Sequence, residues 1–161
     1  MNTLAIDIGG TKLAVALFAG ADAVSQKMFR REVRLTDRTG GPHRMLQQIA
    51  DIARGWSASE GIDVCGVGFG GPVDFAHQRV ALSTHVEGWR SFPLVKRLRE
   101  VLGVPVVMDN DANAGALGEA VYGAGCDAQR PLFYMTLSTG IGGGIVLEDG
   151  NLLRGADLCN L

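Results

Sequence analysis

The chain has 161 residues, 47% of them hydrophobic and 20% charged, with a net charge of −2. That length supports a domain with a real core, and that composition excludes an intrinsically disordered chain. The slight acidity argues against a nucleic-acid surface, which carries a basic patch. The three cysteines, Cys65, Cys126 and Cys159, are widely spaced and form no C-x-x-C, so neither a disulfide framework nor a zinc site is expected. They read as small thiols in a reducing compartment, which points to the cytoplasm. Asp7 interrupts the N-terminus before a signal-like apolar region forms, and the longest apolar run, residues 13–19, is too short to span a bilayer. No membrane association is therefore expected. The 23 glycines are clustered, which marks turns and not a low-complexity chain.

In chain order, residues 4–8 and 13–18 read as two strands joined by a Gly9-Gly10 turn, a hairpin signal. Residues 24–35 read as a third antiparallel strand, and residues 36–42 as a polar break. Residues 43–56 carry a helical stripe through Met45, Leu46, Ile49, Ile52 and Ala53. A short strand over 64–69 closes on Gly70-Gly71-Pro72. A helix over 92–102 is stopped by Gly103. A strand over 104–108 runs into Asp109-Asn110-Asp111, and an alanine-rich helix over 112–122 follows, with Asp111 as its expected cap. After a loop over 123–130 come a strand over 132–137, a glycine turn over 138–144 and a strand over 145–147. Three antiparallel strands followed by alternating helices and strands define an α/β domain. The strand–glycine-turn–strand pattern at 6–17 recurs at 136–147, the mark of an internal duplication. Two such hairpins imply two lobes around one nucleotide, with a first lobe over 1–125 and a second beginning at 126–161.

Four segments carry chemistry. Asp7-Ile8-Gly9-Gly10-Thr11-Lys12 sets a carboxylate at a strand end beside two glycines, a hydroxyl and a cation. Glycines let the backbone approach an anion closely. Their amides, with Thr11 and Lys12, suit a phosphate, and Asp7 suits a hydrated cation. Gly66-Val67-Gly68-Phe69-Gly70-Gly71 matches G-x-G-x-x-G literally, but that fingerprint must open a helix, and Pro72-Val73-Asp74 has no helical pattern. The alternative is a tight loop leaving a buried strand. No Walker-type lysine exists, since none of Lys12, Lys27 and Lys96 follows a glycine.

Asp109-Asn110-Asp111 stands at the carboxyl end of a strand, where α/β proteins place ligands. Asp111 is either a helix cap or a general base for an attacking hydroxyl, with Asn110 fixing that hydroxyl. The run from Ser138 through Gly144 holds four glycines in five positions, more than a hairpin requires, which favours close approach to an anion. His85 lies in a loop and stays ambiguous. His43 and His77 have no partner by spacing.

With these residues in view, the chain resembles the ROK family of bacterial sugar kinases, within the actin-like and sugar-kinase ATPase fold (ribonuclease H-like). The resemblance rests on Asp7 to Lys12, Gly66 to Asp74, Asp109 to Glu119 and Leu137 to Val146, in the family's order and spacing. It implies ATP-dependent phosphorylation of a hexose, glucokinase-like, with ATP and Mg²⁺ as cofactors and a small-molecule sugar as partner. Carried over by position, Asp7, Gly9, Gly10, Thr11 and Lys12 meet the phosphates and Mg²⁺, with Asp7 the metal ligand. Thr139 and Gly140 form the second phosphate loop. Gly71, His85, Asn110 and Asp111 face the sugar, with Asp111 as the catalytic base.

The sequence departs from the family at Gly70, where a proline is usual, and at His85, where many members have asparagine. After Arg154-Gly155-Ala156 the family's Gly-Glu-x-Gly-His segment and cysteine-rich zinc motif are not matched. The expectation is a first lobe complete and a second only begun, without the family's zinc site. Two rival readings accompany the kinase. One is a truncated, non-catalysing module that forms a homodimer or otherwise self-associates through an exposed apolar patch. The other is a ROK transcriptional regulator, which would carry a helix-turn-helix domain ahead of the first phosphate motif, where only six residues precede Asp7.

Overall fold

The computed structural model describes residues 1–20, 27–37, 39–82, 88–137 and 140–154. In chain order the elements are β1 (Asn2–Ile8), β2 (Lys12–Ala19), β3 (Lys27–Leu35), α1 (Gly41–Glu60), β4 (Val64–Phe69), β5 (Val73–Asp74), β6 (Arg79–Val80), α2 (Leu94–Leu102), β7 (Val106–Asn110), α3 (Asp111–Tyr122), β8 (Leu132–Leu137) and β9 (Ile141–Val146). They group into two compact units, Met1–Asp109 and Asn110–Leu161.

The first unit is built on a five-stranded sheet in the order β3-β2-β1-β4-β7. The expected antiparallel meander is present, with β1 paired to β2 and β2 to β3. Residues 24–26 of the expected third strand lie outside the described residues. β4 runs parallel to β1, which requires a crossover, and α1 supplies it. Alternation places Leu4, Ile6 and Ile8 of β1, Leu13, Val15 and Leu17 of β2, and Cys65, Val67 and Phe69 of β4 on one buried face. Met45, Ile49 and Ile52 of α1, Leu94 and Leu98 of α2, and Trp89 belong to the same core. Each such side chain contributes about 1.5–3 kcal/mol of burial. The other residues of β1 include Ala5 and Asp7, whose partners on β2 and β4 are Ala16 and Ala14, and Gly66 and Gly68.

Several boundaries differ from the sequence expectation, each for a local reason. α1 starts at Gly41 because Pro42 presets the first turn, and it runs on to Glu60, where Gly61 at φ 76° ends it. α2 begins at Leu94 and not at residue 92, because Pro93 turns the residue before it away from helix. Phe92 instead bridges to Val80. Gly103 closes α2 in the left-handed conformation at φ 71°, as expected. β7 starts after Pro105, whose carbonyl accepts from Cys65 N at 2.9 Å, and continues to Asn110.

In the second unit, α3 packs against the β8–β9 hairpin. Ala116, Ala120, Val146 and Leu152 are buried together, with Leu132 and Tyr134 packed beside them. The expected glycine turn over 138–144 is shorter than supposed, since Gly142, Gly143 and Gly144 lie within β9 and are buried. A Cβ on Gly144 would stand 2.7 Å from Ala116 Cβ and 2.9 Å from Ala112 O. Packing against α3 thus demands glycine there independently of any ligand. The opposite register positions expose Phe133 at 55%, Met135 at 54%, Leu137 at 68% and Ile141 at 49%. Among the described residues no helix is long and apolar enough to cross a membrane.

Candidate active site

In the first unit the turn between β1 and β2 carries five of the expected residues. Asp7, Thr11 and Lys12 are exposed, and Gly9 and Gly10 are half-buried. The turn is braced from within and from outside. Gly9 N donates to Lys12 O at 2.9 Å, so this amide is engaged in the turn and is not one of the free donors the sequence suggested. The geometric role left to Gly9 is close passage of the chain, since a Cβ there would stand 3.3 Å from Lys12 O.

Thr36, just past β3, binds the turn twice. Its hydroxyl donates to Gly9 O at 2.7 Å and its amide to Thr11 O at 3.0 Å. Sequence reasoning missed Thr36, which read only as part of a polar break. Beside it, the Asp37 carboxylate accepts from Thr39 Oγ1, Thr39 N and Gly40 N. Those bonds, the Thr39 hydroxyl first, hold its carboxyl below the usual carboxylate range.

The loop after β4 adjoins this turn, because Gly70 N donates to Ile8 O at 2.8 Å. No helix follows Gly66–Gly71, so the dinucleotide reading is excluded by the fold. Gly71 is held by its N–H bond to Phe69 O at 2.9 Å. A Cβ on it would meet Leu82 O and the Phe69 ring at 3.2 Å, so the close approach there is to the protein's own aromatic ring. Phe69 in turn packs on Trp89, and Trp89 on Phe92, with centroids 5.1 and 5.4 Å apart.

The chain then forms the short β5–β6 hairpin, which the sequence reading did not resolve into strands. Within it Asp74 accepts from His77 N at 3.1 Å, meets His77 Nδ1 at 2.9 Å and accepts from Arg79 Nε at 2.9 Å. The bond with the His77 ring leads the interactions that lower the Asp74 pKa. His77, which had no partner by spacing, has one in this turn.

In the second unit, Asn110 and not Asp111 caps α3. Asn110 is extended at φ −60° and ψ 146°, and its side chain accepts from Ala112 N at 3.0 Å and Asn113 N at 3.2 Å. It is 2% exposed. Asp111 occupies the first helical position, exposed, with Oδ1 accepting from Ala112 N at 2.8 Å. A carboxylate in the first turn of a helix is favoured by the helix dipole. Asp111 is exposed at the start of the helix, whereas the Asn110 carbonyl oxygen is committed to the backbone. Gly140 precedes β9 and has open space where a Cβ would stand. His85 and Thr139 lie outside the described residues.

A braced glycine turn in the first unit, and a carboxylate at the head of a strand-to-helix junction in the second, belong to an α/β fold shared with sugar kinases. The chain superposes on a ROK hexokinase from Thermus thermophilus with TM-score 0.78 at 34% identity, covering 98% of this chain and 50% of that one. It superposes on a ROK family glucokinase from Streptomyces griseus, in complex with glucose and AMPPNP, with TM-score 0.81 at 31% identity, covering 98% and 47%. These neighbours establish the actin-like sugar-kinase fold. The ROK family profile matches residues 3–158, and the chain belongs to that family. Among curated relatives it is 37% identical over 158 residues to a glucokinase of Halalkalibacterium halodurans, covering 94% of this chain and 46% of that protein. It is 38% identical over 159 residues to an N-acetylmannosamine kinase of Salmonella paratyphi A, covering 96% and 50%. The chain thus spans about half the length of the curated relatives it matches.

Proposed function

We propose that the chain carries the sugar-side and first phosphate-side residues of an ATP-dependent hexose kinase, transferring a phosphoryl group from MgATP to a hexose hydroxyl. The observation that carries this reading is the division of labour at the start of α3, where Asn110 caps the helix and leaves the Asp111 carboxylate exposed. Phosphoryl transfer is mainly positioning and charge neutralisation. In this scheme Asp111 accepts the proton of the attacking hydroxyl as the new O–P bond forms. Asn110 contributes through its side-chain amide, and Gly71 and His85 complete the sugar side. Lys12 and Thr11 offset charge on the phosphates, Gly9 and Gly10 allow their approach, and Thr139 and Gly140 form the second phosphate turn.

Magnesium keeps several waters and takes one or two carboxylates plus substrate phosphates. The single exposed carboxylate of Asp7, beside the glycine turn, fits that requirement. When bound, the ion would neutralise phosphate charge. The lobe division at 125/126 and a cytoplasmic, ATP-supplied setting belong to the same proposal. The glucokinase and the N-acetylmannosamine kinase among the relatives make glucose and N-acetylmannosamine the first sugars to try.

Titration calorimetry of the chain with each sugar, and separately with MgATP, tests the reading. Heat with at least one hexose is expected, retained with modest weakening in Asp111→Asn. No heat with any hexose counts against it. That second outcome favours a self-associating, non-catalysing module, for which the exposed Phe133, Met135, Leu137 and Ile141 are the supporting observation.

A further inference from the structure

β7 is an edge strand of the five-stranded sheet. An edge presents unpaired backbone groups that need a partner. At Met108 that partner is a side chain. Gln78 Oε1 accepts from Met108 N at 2.8 Å, and Gln78 Nε2 donates to Met108 O at 3.1 Å. A primary amide offers the same donor and acceptor as a peptide group, so Gln78 serves as a one-residue strand. The same Nε2 donates to Phe75 O at 2.8 Å, tying the clasp to its own turn. Gln78 itself stands at φ 52°, a conformation disfavoured for any residue with a side chain. Its amide has a defined place only because the turn between β5 and β6 holds it there. The residues directly after Met108 are Asp109, Asn110 and Asp111.

We propose that Gln78 is a positioning residue for the Asp109-Asn110-Asp111 segment, clasping the strand that carries it to the hairpin that follows Gly71. This rests on the hexose-kinase reading of Asn110 and Asp111. The clasp holds β7 at Met108, the residue from which Asp109, Asn110 and Asp111 follow directly. A loosened Met108 lets the segment sample more positions, and hexose affinity falls in consequence.

The test is amide hydrogen exchange at Met108, measured with glucose calorimetry on the whole 161-residue chain and its variants. Gln78→Gly removes the clasp while relaxing the left-handed turn, so it separates the two effects. Gln78→Ala keeps the strained turn and serves as the second variant. Losing hydrogen bonds of ordinary net strength corresponds to roughly three- to tenfold. Both variants should speed Met108 exchange, and weaken glucose binding, by about that factor. Gln78→Glu keeps an acceptor for Met108 N but sets a carboxylate against Met108 O. Its Met108 protection, relative to the intrinsic rate, should therefore recover as pH falls and the carboxyl gains a proton to donate.

Unchanged Met108 protection in Gln78→Gly overturns the clasp. Lost protection with wild-type glucose affinity overturns the positioning role while leaving the kinase reading intact. Absence of glucose binding by the wild-type chain defeats the kinase reading, and the positioning role with it, while exchange still decides the clasp.

Discussion

Replacing Gly144 by alanine sets a methyl group into the joint between β9 and α3. The new Cβ would stand 2.7 Å from Ala116 Cβ, 2.9 Å from Ala112 O and 3.1 Å from Asn113 Cα. None of these atoms is the end of a flexible side chain, so the strand or the helix must shift. Overpacking of this kind costs about 1–3 kcal/mol. Alanine also lowers the entropy of the unfolded chain, which favours folding by about 0.4–1 kcal/mol. The clash wins, and a net loss of about 1–2 kcal/mol is expected from these two terms. With a urea slope of about 1–3 kcal/mol/M, the unfolding midpoint should fall by roughly 0.5–1 M. Gly140→Ala is the control, because a Cβ there meets nothing within 4 Å. Urea unfolding followed by circular dichroism, with amide exchange across α3, reads both variants. Equal midpoints for Gly144→Ala and wild type would refute the packing argument and return Gly144 to a purely ligand-facing role.

Asn110→Ala removes the α3 cap, taking the cap acceptor from Asn113 N and leaving Ala112 N with Asp111 Oδ1, so it should lower stability by about 1 kcal/mol or more, measured by the same unfolding curve. Asp111→Ala removes a first-turn carboxylate that also accepts from Ala112 N but leaves the Asn110 cap in place, and its loss should stay near 0.3–1 kcal/mol. A larger effect than that of Asn110→Ala would reverse the assignment of the cap. The Asp37, Glu60, Asp74 and Asp149 carboxyls all lie below their ordinary values because they accept hydrogen bonds. Folded pKa values below the unfolded ones mean stability that is fully present above the ordinary carboxylate range and lost as pH falls from that range through the lower folded values. Thermal melts should therefore drop on acidification below about pH 4–5, and an increase there would contradict the bonding described. Burial pushes the Cys65 thiol up to about 12, whereas Cys126 is exposed. Alkylation at mildly alkaline pH, read by peptide mass mapping, should modify Cys126 and spare Cys65 until the chain unfolds.

The strands that alternate cleanly were legible in the residues. β1 and β2 alternate buried with mostly half-buried residues, β8 alternates half-buried with exposed ones, and Gly103 announced the end of α2. The β5–β6 pair was not legible, because two-residue strands carry no periodicity. Asn110 and Asp111 are both competent caps standing side by side. Only the extended backbone at Asn110 decides between them, and sequence does not encode that choice locally. The excess of glycine over 140–144 pointed to an anion, yet buried Gly144 answers to Ala112 and Ala116, which lie far back in the chain. Thr36 was hidden for the same reason, since its bonds reach the turn from 27 residues away in the case of Gly9. The candidate residues of the glycine turn and of Asp109-Asn110-Asp111 stand out by local chemistry. Those that brace them were set by long-range contacts that no motif displays.

The proposed hexose phosphorylation is tested most directly by ADP release from MgATP in a coupled assay with glucose and with N-acetylmannosamine. Sugar-dependent release is expected from the wild-type chain and its loss from Asp111→Asn, with the fold retained. Release that persists in Asp111→Asn would contradict the assigned base, and no sugar-dependent release from the wild-type chain would contradict the proposed kinase activity itself.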